Sequence, residues 1–174
     1  MKKCLPYFAF ILITFSCNHY DKHATQNTSS TDSSQNTGID SAKNTMQVSE
    51  LSGNELKDDS VFTDGSIPAS WKIAGITDVR GLKLFIKQLQ QWVVENDKEK
   101  LSGVIQYPLD NKYKNPSDVV EHYDKIFTRE VKLSLATINF NQLFRNYRGV
   151  MTDGGKIWIA QDANQFKIIA INSK

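Results

Sequence analysis

A chain of 174 residues is sized for one domain, and a net charge of +2 at pH 7 is too small and too scattered to argue for nucleic acid. Cys4 and Cys17 are its only cysteines, both near the N-terminus, so neither a disulfide framework nor a cysteine-built zinc site is expected. The folded part must stand on its hydrophobic core.

The N-terminus opens with Lys2 and Lys3, runs through an almost wholly apolar Leu5 to Phe15, and reaches Ser16-Cys17. Basic, apolar and small residues in that order read as a secretory signal, and the apolar run is shorter than the roughly 18–20 residues that span a bilayer. Cys17 directly after Ser16, with polar Asn18 and His19 beyond, resembles a bacterial lipoprotein cleavage site, although Thr14 stands where leucine is usual. The resemblance implies removal of residues 1–16, a lipid such as palmitate on Cys17, and attachment to a membrane of the cell envelope. Asn18 is not the aspartate that retains some lipoproteins in the inner membrane, which leans the expectation towards the outer one. An ordinary secretory signal or an uncleaved anchor is the alternative.

Residues 18–49 hold eighteen Ser, Thr, Asn or Gln in thirty-two positions, too little apolar surface to offset the entropy of ordering them. Residues 17–60 are therefore expected to be a disordered tether, spanning roughly 30–40 Å as a flexible coil. Three lysines against seven acids give residues 18–60 a charge of −4, whereas residues 61–174 carry +4. His19 and His23 near Asp21 read as solvated linker residues.

A single domain is expected over 61–174. Thr77 or Asp78 caps a helix running to about Glu95, along which Leu82, Phe85, Ile86, Leu89, Trp92 and Val93 make one apolar stripe. Lys83, Lys87 and Gln91 lie off the stripe and read as its solvated face. Asp97 caps a shorter helix from Lys98 to about Val104, and Ile105 to Leu109 reads as a short strand, because Pro108 stops the helix. Asn115-Pro116-Ser117-Asp118 is a strong helix start, and that helix turns Val119, Tyr123, Ile126 and Phe127 inward. Val131 to Ile138 fits helix or strand, helix being preferred. Phe144 to Met151, Lys156 to Ala160 and Gln165 to Ile171 read as three strands of an antiparallel meander, the last, apolar on both faces, being central or covered by helices.

Helices followed by an antiparallel sheet make an α+β fold. The order of long helix, acidic break Glu95-Asn96-Asp97, short helix, Tyr107-Pro108-Leu109, further helix and closing meander resembles the nuclear-transport-factor-two-like superfamily. Tyr107-Pro108-Leu109, Tyr123 to Phe127, Gly149-Val150-Met151, Gly155 to Trp158 and Ile168 to Asn172 look like a group of bacterial envelope proteins within it. The resemblance covers about residues 70–174 and implies N-terminal helices packed on a curved, cone-like sheet with an open mouth. Isomerases, dehydratases and cyclases occur in that superfamily.

Acid–base chemistry needs a titratable group in a dry cleft with an orienting partner. His122, with Asp118 one helical turn earlier, and Tyr107, Tyr123 and Asp124 as a phenol–carboxyl set are the catalytic candidates. The competing reading makes Tyr123 core, Asp124 a surface charge facing Lys125 or Arg129, and His122 a boundary residue. Trp71, Tyr107, Arg145 and Trp158 are candidate ligand-binding residues. An arginine at a cone mouth could clamp a carboxylate or phosphate; Arg145 could instead blunt an edge strand. Trp158 faces away from Ile157 and Ile159, and the sequence leaves open which side meets the helices. No metal or cofactor motif is present: Asp153-Gly154-Gly155 is a turn, not a phosphate loop.

The expected function is a membrane-tethered envelope lipoprotein whose domain binds a protein or small-molecule ligand without catalysis. The alternatives are a small cone-fold enzyme of isomerase or dehydratase type, and an immunity or hydrolase-inhibitor protein. A homodimer through the open sheet face is a further expectation. No nucleic-acid partner is expected.

Overall fold

In the computed structural model, which describes residues 50–173, the longest element obeys the apolar stripe. Helix α1 spans Val79–Glu95, the Asp78 carboxylate accepting from the Gly81 N–H at 2.8 Å. It ends where Asn96 turns left-handed and donates its N–H back to Trp92 and Val93. Leu82, Ile86 and Leu89 are fully buried, each such side chain contributing about 1.5–3 kcal/mol. Cys17, the apolar leader and residues 18–49 lie outside the described residues.

Short helices follow. Asp97 caps α2, Lys98–Gly103, and Asn115 caps α3, Pro116–Glu121, with Pro116 in its first turn. The single helix expected here breaks at His122, and Tyr123–Ile126 forms α4; Val119, Tyr123, Ile126 and Phe127 are nevertheless all buried. The ambiguous stretch is helix α5, Arg129–Ala136, capped by Thr128. Ile105 to Leu109 is not a full strand: Ile105 makes one parallel bridge to Ile168, and Leu109 one antiparallel bridge to Tyr113.

The sheet is antiparallel and open, in the order β1-β2-β3-β4. Phe144 to Met151, expected as one strand, is a hairpin of β1, Phe144–Asn146, and β2, Gly149–Met151. The Asn146 side chain accepts from the Arg148 N–H at 2.8 Å, and Gly149 has φ +130°, pressed against the Ile159 carbonyl where a Cβ would collide. Strands β3, Ile157–Asp162, and β4, Gln165–Ile171, complete the sheet. β4 is therefore an edge strand and not central. Its outer edge is partly bonded, since Ile168 donates to Val104 O at 2.9 Å and accepts from Gln106 N–H at 2.8 Å.

Arg145, Val150, Ile159 and Ile168 align across the four strands and are all buried. This inner row joins α1, α2, α4 and α5 in one hydrophobic cluster, to which Phe85 and Phe166 add a ring pair at 5.7 Å. Residues 50–60, assigned by composition to the tether, pack on α1 and cover Lys83, which is fully buried and not on a solvated face.

Candidate functional site

Two of the candidates, Trp71 and Arg145, meet, but inside the molecule. The Arg145 guanidinium lies 4.0 Å from the Trp71 ring centroid, donates through Nε to Ala69 O at 2.7 Å and through Nη1 to Leu143 O at 3.1 Å. Arg145 neither clamps an open mouth nor blunts the edge of β1: its side chain is buried, and burial lowers its pKa while the Asp58 charge opposes that shift. Trp71 Nε1–H donates to Asp58 Oδ2 at 2.6 Å. Asp58 Oδ1 in turn accepts from Lys83 Nζ at 2.9 Å, and the same ammonium donates to Glu55 O at 2.8 Å and Lys57 O at 2.9 Å. All three Lys83 protons are thus used. Asp58 carries no motif that would single it out, and Lys83 reads as solvated in the sequence because the segment that covers it is polar and aperiodic.

The side chains of the acid–base candidates do not pair with one another. Tyr107 Oη–H donates to Ser102 O at 2.8 Å. Burial, with the Asp118 charge adding to it, pushes its pKa up to about 12. Tyr123 stacks on Phe127 with centroids 4.9 Å apart and buries a hydroxyl that has no hydrogen-bond partner among the described residues. Burial first, then Asp124, pushes this phenol up to about 12 as well. Lys98 and Lys132 approach the Tyr123 ring at 5.0 and 4.8 Å. Asp124 is exposed and faces those two lysines, at 3.9 and 3.6 Å, instead of Lys125 or Arg129. The Asp118 carboxylate does not orient His122: it accepts from the Lys114 N–H at 2.6 Å, while His122 Nδ1 meets the Asp118 backbone carbonyl at 3.0 Å. Among the described residues no group of three or more His, Cys, Asp or Glu could hold a metal ion.

Trp158 lies on the outer sheet face, since Ile157 and Ile159 on either side are fully buried within the core. Phe144, Met151, Trp158 and Ala170 align across the strands there, with Phe144 edge-on to Trp158 at 6.3 Å. Phe144 is 41% exposed and Tyr147, at the hairpin tip, 76%. Arg148 stands over the Tyr147 ring at 5.8 Å.

Two grooves open elsewhere. One of about 460 Å³ lies between α2 and α3 and includes Glu99, Ser102, Val120 and Glu121. The other, of about 450 Å³, runs between residues 54–55, Lys87 and Gln90 of α1, and residues 136–141. Among the described residues no helix is long and apolar enough to cross a membrane. Comparison of the chain with protein-family models, curated proteins and solved structures gave no match.

Proposed function

We propose that this chain is a lipid-anchored envelope protein whose α+β domain binds protein through the outer face of its sheet. The carrying observation is the aromatic row itself: Phe144 and Trp158 with Met151 on the strands, and Tyr147 with Arg148 at the tip. Tyr, Trp, Phe, Met and Arg are the side chains enriched in interface cores, and grouped apolar exposure marks a contact surface. Tyr107 donates to Ser102, Asp124 faces Lys98 and Lys132, and His122 meets the Asp118 carbonyl, so the enzyme reading has no assembled acid–base pair to build on. The element order, long helix to closing meander, supports a cone-like relative of the nuclear-transport-factor-two-like superfamily, and Ser16-Cys17 supports the anchor.

A second copy of the chain is the partner to test first, because an apolar face of this kind can be self-complementary about a two-fold axis. Sedimentation velocity of the chain with Cys17→Ser tests it. A dimer that Phe144→Lys or Trp158→Arg converts to monomer is the expected result. A monomer at about 100 μM, unchanged by either substitution, rejects self-association. Incorporation of a labelled fatty acid into the native chain, lost in Cys17→Ser, tests the anchor.

A further inference from the structure

The segment at 50–59 lies on α1 as a bound peptide lies on a receptor. Lys83 reads two of its backbone carbonyls and the Asp58 carboxylate. Lys87 reads the Glu50 carbonyl at 3.2 Å and the Glu55 carboxylate at 3.0 Å. From the opposite side Asn141 donates to Asn54 O at 3.0 Å and accepts from the Asp59 N–H at 3.0 Å, while Gln142 donates to Asp59 Oδ2 at 2.8 Å. The segment carries Glu50, Glu55, Asp58 and Asp59 against the single cation Lys57, and the strip beneath it supplies Lys83 and Lys87. Little apolar contact adds to this hold: Leu51 packs against the core, but Leu56 is 44% and Val61 50% exposed. A segment held by polar bonds with few apolar contacts belongs to the part of a fold that opens locally. The groove of about 450 Å³ that continues beside Asn54 and Glu55 leaves room along the same strip.

We infer that this strip is a binding site for an acidic, turn-forming peptide of a partner protein, occupied within the free chain by residues 50–59 as a displaceable strap. Main-chain carbonyls and carboxylates are both recognised, so the occupant must be negatively charged and able to fold the same turn, in which the Leu56 N–H donates to Ser52 O at 3.2 Å and the Glu55 carboxylate accepts from the Ser52 N–H at 2.8 Å. The strap competes as an intramolecular ligand at a millimolar-scale effective concentration, which keeps the site masked until a better acidic sequence arrives. This site is distinct from the sheet face, and either can fail without the other.

The test uses the full chain and a fluorescein-labelled peptide of sequence Leu-Ser-Gly-Asn-Glu-Leu-Lys-Asp-Asp-Ser-Val, which copies residues 51–61. Anisotropy titration is expected to show binding at least tenfold tighter to Asp58→Asn than to the native chain, with a smaller gain for Glu55→Gln. The same peptide carrying Asn at the Asp58 position is expected to bind at least tenfold more weakly. Equal binding, or none, by folded native and variant chains would overturn the inference. Should Asp58→Asn not fold, hydrogen exchange on the native protein decides: the Asp59 amide must exchange at least tenfold faster than the Ile86 and Leu89 amides of α1. Exchange of Asp59 only through global unfolding overturns the strap.

Discussion

Lys83 and Asp58 form an ion pair at 2.9 Å in which the lysine is wholly buried while the aspartate keeps 28% of its side-chain surface. The two partners are therefore unequal. Removing the lysine leaves a carboxylate that water can reach, whereas removing the aspartate leaves a buried ammonium with two carbonyl acceptors and no counter-charge. Asp58→Ala is expected to cost about 3 kcal/mol and Lys83→Met about 1–2 kcal/mol. Urea midpoints of the two variants check the order; equal losses would show that the burial difference does not matter.

The phenols of buried Tyr123 and half-buried Tyr107 differ in their partners. Tyr123 buries its hydroxyl without a partner, while Tyr107 donates to Ser102 O. Tyr123→Phe is expected to leave stability unchanged or raise it by up to about 1 kcal/mol, and Tyr107→Phe to lower it by about 1 kcal/mol. Thermal unfolding of the pair compares them directly.

Alkaline pH should expose the same two groups. Both phenols ionise near 12 in the folded chain and near 10 when unfolded. Between those values the folded state holds more protons, so stability falls as pH rises. Their contribution is intact below pH 10 and is lost progressively up to about 12. Ultraviolet titration should show tyrosinate absorbance from Tyr107 and Tyr123 only near 12, later than in the urea-unfolded chain, and Tyr107→Phe should reduce the late step.

At the β1–β2 hairpin, Gly149 combines φ +130° with close approach to the Ile159 carbonyl. Gly149→Ala is expected to lose about 2 kcal/mol or more. A neutral outcome in chemical unfolding would mean that β2 can shift away from β3 at no cost.

Much of the helical half was legible because each helix carries its own signals. Asp78, Asp97 and Asn115 cap the helices expected of them, and the stripe of α1 supplies Leu82, Ile86 and Leu89 to the core. The hairpin at 144–151 was not legible: Tyr147-Arg148 is not the Asn-Gly type of turn that announces a two-residue loop, and the glycine comes after it. The break at His122 was hidden because the helical spacing of Val119, Tyr123 and Ile126 survives it. Lys83 was misread because a position off an apolar stripe can be covered by a polar segment that has no period of its own. Trp71 and Arg145 read as candidate ligand-binding residues, whereas the fold joins them to each other across 74 positions of sequence; no local pattern encodes such a pairing.

The most direct measurement is site-specific photocrosslinking of the full chain in its native cells, with benzoylphenylalanine placed at Phe144 or Tyr147 and, as a control, at exposed Lys125. The account predicts discrete protein adducts from positions 144 and 147 and none from 125. The absence of adducts at both sheet positions, or equal labelling at 125, would contradict a protein-binding role for the outer sheet face.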